Sequence, residues 1–340
     1  TGTHSTALGF TALQNQNYDG EAANTAIGTE SLDALTVGRY NVAVGSASAS
    51  STQEALSTVA IGYGALNGVM TADAVGTIGI GHGAGAAITS GTENIAIGYQ
   101  AMAVHTSGSK NIAIGHQAMD DTNAGANSKA SSNNIFMGYR AGSGTFTDVQ
   151  SNNNTCIGSY TTGANLDGAL DNTALGYNTF AALTSGDNNT VIGSLSGDAI
   201  TTGSQCTAVG HQALTANQTG SYITAIGNNA LTACTASENT AVGWDAGGSI
   251  VGGASNVMIG SNAGDTLTSG NQNTCVGDSS DVNTSGGTNQ TVIGYNAVGQ
   301  GDNVVVLGDA NVTHVCLGHE GATAVAKAAG FVSNSNYSVE

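Results

Sequence analysis

Three groups of residues in this 340-residue chain have types that could do chemistry. The first is a set of rings that each follow a glycine: Phe10, Tyr63, His82, Tyr99, His116, Tyr139, Tyr177, His211, Trp244, Tyr295 and His319. Imidazole is the commonest metal ligand and a general base near neutrality, but a ligand position does not accept Tyr, Phe and Trp in exchange. The set therefore reads as a structural ring ladder that includes Tyr63, His82, Tyr99, His116, Tyr139, Tyr177, His211, Trp244 and Tyr295. The second group is Asp120 and Asp121, adjacent acids beside Lys129 in the longest irregular stretch. Glycoside cleavage needs two carboxylates set roughly 5–9 Å apart across a bond, and neighbouring loop acids do not supply that by themselves. The third is five cysteines, Cys156, Cys206, Cys234, Cys275 and Cys316, with no CxxC pair; a zinc or redox site is not indicated. No catalytic residue, metal site or cofactor site is assigned, and an enzyme is not expected.

The elements that position these residues are short and repetitive. NIAIGYQAM (94–102) recurs as NIAIGHQAM (111–119). Aligned on its glycine, the unit occurs at 9, 28, 45, 62, 81, 98, 115, 138, 158, 176, 193, 210, 227, 243, 260, 277, 294, 308 and 318, with ten of eighteen spacings equal to 17. One residue before the glycine every copy is aliphatic, and three before it every copy is Thr, Val or Ile. Such a column of stiff β-branched side chains favours a strand. Two before the glycine the residue is usually Ala, and four before it eleven copies carry Asn. A period of 17 is too short for helical-hairpin repeats or propeller blades. It suits a coil of a parallel β-solenoid whose neighbours stack about 4.8 Å apart. The glycine fits a corner with positive φ and the Asn column an amide ladder.

Strand alternation puts the aliphatic and β-branched columns on one face and the Ala column on the other. We expect the aliphatic and Thr columns to point inward, and the Ala-lined faces to let chains approach closely in a homo-oligomer of three-fold symmetry. An inward Thr column also argues against an ice-binding surface.

Composition narrows the partners. Only 8% of residues are charged, there are 51 Gly and no Pro, and the net charge is −18 from 23 acids against five basic residues. Phosphate contacts are scarcely available, so nucleic acid is not an expected partner, nor is membrane insertion, since no stretch reaches the roughly 20 apolar residues of a span. Because the sequence opens on Thr1, a segment of a longer chain is expected.

NTAIG (24–28), NVAVG (41–45), NIAIG (94–98 and 111–115), NTALG (172–176) and NTAVG (239–243) resemble the head repeats of trimeric autotransporter adhesins and, more closely, the shaft repeats of phage tail-fibre-like proteins. The resemblance covers about residues 5–318. It implies an all-β fold, a left-handed β-roll of about 19 coils in an elongated homotrimeric rod, and an extracellular place on a virion fibre or a cell-surface appendage. NVVVLGDANVTHVCLG (303–318) is similar to a transition into a narrower terminal segment, so residues 1–298 read as the shaft and 299–340 as a transition or cap. Related fibres often carry a C-terminal chaperone that is cleaved off, and with the sequence stopping at SNYSVE such a domain is expected to be absent or removed. The function implied is a structural fibre shaft that presents a binding tip. Alternatives are an adhesive head that binds a surface glycan or protein and, further off, a polysaccharide-degrading spike. Loops on rigid scaffolds carry recognition, so the candidate ligand contacts are Asp120, Asp121, Lys129, Phe146 and Trp244.

Overall fold

A computed structural model describes residues 3–71, 74–121, 130–147 and 149–312. Within them lie eighteen three-residue strands, from β1 (Thr6–Leu8) to β18 (Val305–Leu307). Each pairs in parallel with the strand one repeat before and after it, forming a single 18-stranded sheet in sequence order. Register never slips: Ile112 pairs with Ile135 and Ile135 with Thr155, although these repeats are the longest in the chain. The protein is a parallel β-solenoid. Seventeen interstrand steps make a sheet about 80 Å long.

The sense of the alternation is the reverse of the sequence expectation. The central residue of each strand, the Ala column, points into the coil; Ala43, Ala60, Ala96, Ala113, Ala208 and Ala241 are fully buried. The Thr/Val/Ile column and the aliphatic column point outward and are half-buried or exposed, as at Ile27 (37% accessible) and Leu175 (46%). The Ala face is thus the interior of one chain and not a seam between chains. Its smallness reflects the narrowness of the coil. The opposite wall lies so close that a bulky side chain fits only where its partner across the lumen is reduced. Phe136 and Met258 are the large members of the column, and each faces a glycine, Gly142 and Gly264, at which an added Cβ would strike that side chain. Gly79 shows the converse: its missing side chain leaves room for Leu66, whose Cγ would lie 2.7 Å from a Cβ there. Interior volume is conserved coil by coil, as close packing demands.

Leu, Ile and Phe residues from the opposite wall complete the core, including Leu35, Ile88, Phe180, Leu183, Ile200 and Leu267. The Asn column forms a second buried ladder. Asn111 donates its backbone N–H to Oδ1 of Asn94 (2.9 Å) and its Nδ2 to the Ser131 carbonyl (2.9 Å), while its own Oδ1 accepts the Asn134 N–H (3.0 Å). Each side-chain amide thereby bonds two backbone groups of the following coil at the turn, a carbonyl and an N–H.

The corners use more than glycine. Around Gly115, Lys110, Gln117 and Met119 all have φ between 52° and 61°, and the same positions recur with positive φ along the chain. A left-handed L-residue costs about 1–2 kcal/mol. Here every such corner is pinned by a hydrogen bond to a neighbouring coil: Lys110 N–H to Thr92 O, Gln117 N–H to Tyr99 O, Met119 N–H to Ala141 O.

Beyond residue 298 the sheet gains one further strand. Val305–Leu307 continues it, pairing with Thr291–Ile293, at a shortened spacing. The copy around Gly318, with Cys316 and His319, lies outside the described residues.

Candidate functional site

Two surfaces lie side by side on the rod, one along its whole described length and one over seven of its coils. The first is the outer face of the sheet, where Thr or a β-branched aliphatic stands two residues from a second aliphatic on every strand. Ten Thr, from Thr6 to Thr291, occupy the first of these columns, with Val or Ile in the others. An outward Thr column reverses the inward placement drawn from the sequence, and so removes that argument against an ice-facing surface. The second column is purely aliphatic from Leu8 to Leu307, with Met137 its unbranched member. Parallel sheets normally have both faces covered, and here, among the described residues, nothing covers one of them.

The second surface is the ring row. The glycine turn places the next residue at the edge of the outer face, where the 17-residue repeat brings successive rings one strand spacing apart. Tyr63, His82, Tyr99, His116 and Tyr139 are stacked in order, with centroids 5.1, 5.1, 5.0 and 5.3 Å apart and planes within 29° of parallel. The next copy carries Ser159 where a ring would stand, and Tyr160 beside it fills the gap, 5.3 Å from Tyr139 and turned 74°. Tyr177 follows at 6.1 Å and 87°. Tyr160 escaped the sequence reading because it sits one position further from the glycine; the signal was present only as a Tyr next to a break in the column.

His211, Trp244 and Tyr295 occupy equivalent positions but do not continue the row. The residues at the same position one coil away show why: Ser194 and Asn228 flank His211, Asn228 and Ser261 flank Trp244, and Asp278 precedes Tyr295. Trp244, 53% accessible, is an isolated exposed indole.

The insertion residues fall apart as a group. Asp120 is half-buried, and burial holds its carboxyl above the ordinary carboxylate range against the opposing pull of its own backbone amide and of Arg140. Asp121 is exposed and accepts a hydrogen bond at Oδ2 from Thr145 Oγ1 (2.7 Å), while its carbonyl accepts the Phe146 N–H (3.0 Å). Lys129 lies outside the described residues. Phe146 is a correction to the sequence reading: it is fully buried, edge-on to Phe136 at 6.1 Å. The second long repeat folds its aromatic residue into the core, so Phe146 has no surface to offer a ligand.

Burial also shifts the thiols and the imidazole of the interior. Burial pushes the Cys156 and Cys275 thiols up to about 12 and Cys206 to about 11, which leaves little thiolate near neutrality. His105 is fully buried and its pKa is lowered to about 4 by burial, partly offset by the Gly108 carbonyl 3.1 Å from Nε2. Among the described residues, no group of three or more His, Cys, Asp or Glu is placed to hold a metal ion. Compared with protein-family models and with curated proteins, the chain matches none.

Proposed function

We propose that this chain is the shaft segment of an extracellular fibre, a phage or viral tail fibre or a comparable surface appendage, built as a parallel homotrimer that carries a binding tip at a distance. The observation that carries the reading is the outer face of the sheet: an unbroken aliphatic column, half-accessible in the single chain, over eighteen consecutive strands. A contiguous apolar surface of that extent on an isolated chain exceeds what soluble monomers expose. A second copy in the same register would meet it at every coil, and a closed three-fold arrangement would leave no such face open.

The mechanical role follows from the same geometry. Load along the rod is borne by parallel strand pairs, the Asn ladder and the corner hydrogen bonds, all of which link each coil only to its neighbours. Length then scales with the number of coils and not with the size of a core.

Light scattering coupled to size exclusion tests the assembly. The expected mass is three times 33.3 kDa; a mass near 33.3 kDa would refute the trimer, and with it the account of the aliphatic face.

A further inference from the structure

The ring row from Tyr63 to Tyr177 is not required by the coil. The same position, on strands in the same register, is occupied by Ser46, Ser194, Asn228, Ser261 and Asp278 elsewhere in the rod. Seven consecutive coils nevertheless present a ring, and where Ser159 interrupts the column Tyr160 restores the row. The rings are exposed and span about 30 Å at one strand spacing per step. A chain that could place Ser at each of these sites instead keeps an unbroken aromatic strip open to solvent.

The chemistry of the strip is uniform. Tyr hydroxyls and imidazole nitrogens both donate and accept hydrogen bonds, and the rings that carry them are exposed in single file. The adjoining position adds Gln100, Gln117 and Arg140, the two amides in line with Nε2 of Gln117 3.4 Å from Oε1 of Gln100. Acids are absent from both positions over these seven coils, in a chain that carries 23 of them. Outside the strip Glu30, Asp245 and Asp278 occupy the same two positions. Tyr160 and Tyr177, rotated out of the parallel stack, add a ring set across the line of the row at one end.

The geometry points to this strip as a binding track for an extended, neutral polysaccharide lying parallel to the rod axis. A linear run of identical donor–acceptor edges fits a polymer whose hydroxyl-bearing rings repeat at close to the strand spacing. A globular protein surface has no such repeat, and the net charge of −18 disfavours polyanions. The track is a property of one flank of the shaft and is separate from the aliphatic face, so it adds a lateral adhesive function to the rod.

Isothermal titration of the full chain against a panel of neutral glucans, mannans, galactans and N-acetylhexosamine polymers tests this, with hyaluronate as the anionic control. At least one neutral polymer is expected to bind, with affinity that rises from its disaccharide to its hexasaccharide. The double variant Tyr99→Ser, His116→Ser should weaken binding at least tenfold. Serine already serves this position in other coils, and an unchanged mass and circular dichroism spectrum confirm the fold. Trp244→Ser, on an isolated ring, should leave affinity unchanged. Absence of binding to every neutral polymer, binding of hyaluronate alone, or equal affinity of the double variant would each overturn the proposal. None of these outcomes alters the measured mass, so the fibre reading stands or falls apart from it.

Discussion

Replacing His105 with Leu should remove most of the acid sensitivity of the central coils. His105 fills a position that Leu35, Ile88, Leu183, Ile200, Ile250 and Leu267 fill in other repeats, all fully buried. Its pKa falls from an ordinary 6.5 to about 4 because the charged form would lose its hydration. A group whose folded form resists protonation contributes stability above its unfolded pKa. That contribution is lost as pH falls, because the unfolded chain takes up the proton first. Between pH 8 and pH 5 the loss is about 2 kcal/mol, and by pH 4 about 3 kcal/mol. Asp120, Asp198 and Asp281 run the other way, since burial raises their pKa values and acid relieves the cost of their charge. The wild type minus His105→Leu difference cancels that background. After the substitution Nδ2 of Asn94 still donates to the Gly108 carbonyl (2.8 Å) and Nδ2 of Asn111 to that of Ser131. Urea unfolding of both proteins at pH 8 and pH 5, followed by hydrogen exchange of the amides around residues 94–119, reads the difference. An equal loss of stability in the two proteins would refute the assignment of acid sensitivity to this buried ring.

Two further perturbations probe the coil itself. Gly98→Ala places a Cβ on the Gly115 carbonyl of the next coil at a φ of 133°; it should cost on the order of 3 kcal/mol or more, seen as a lower denaturation midpoint, whereas an unchanged midpoint would mean that the corner can open. Cys156, with its thiol pushed up to about 12, should resist iodoacetamide at pH 8 in the folded protein and react fully in denaturant; peptide mass spectrometry that found native labelling would contradict its burial.

The sequence by itself determined the period, the position of the strand within it, and the glycine and asparagine columns. Each of these is a local chemical requirement: a β-branched pleat, a corner with positive φ, an amide to bond the turn. It also determined that the aliphatic and Ala columns lie on opposite faces, because strand parity is strictly two. Which face lies inside was decided only by the tertiary structure. Alternation fixes parity and not sign, and the sign depends on how much volume lies between two walls of one coil, a distance that no single repeat encodes. Ala faces inward because the lumen is narrow, with Phe136 opposite Gly142 as the exception that shows the limit. The same holds for the rings. A column of Tyr and His was legible, but its continuity through Tyr160, its end at Tyr177 and the isolation of Trp244 depend on which residues meet one coil away. Phe146 read as a loop residue because it lies in an insertion, and it is core because its repeat folds inward and packs it edge-on against Phe136.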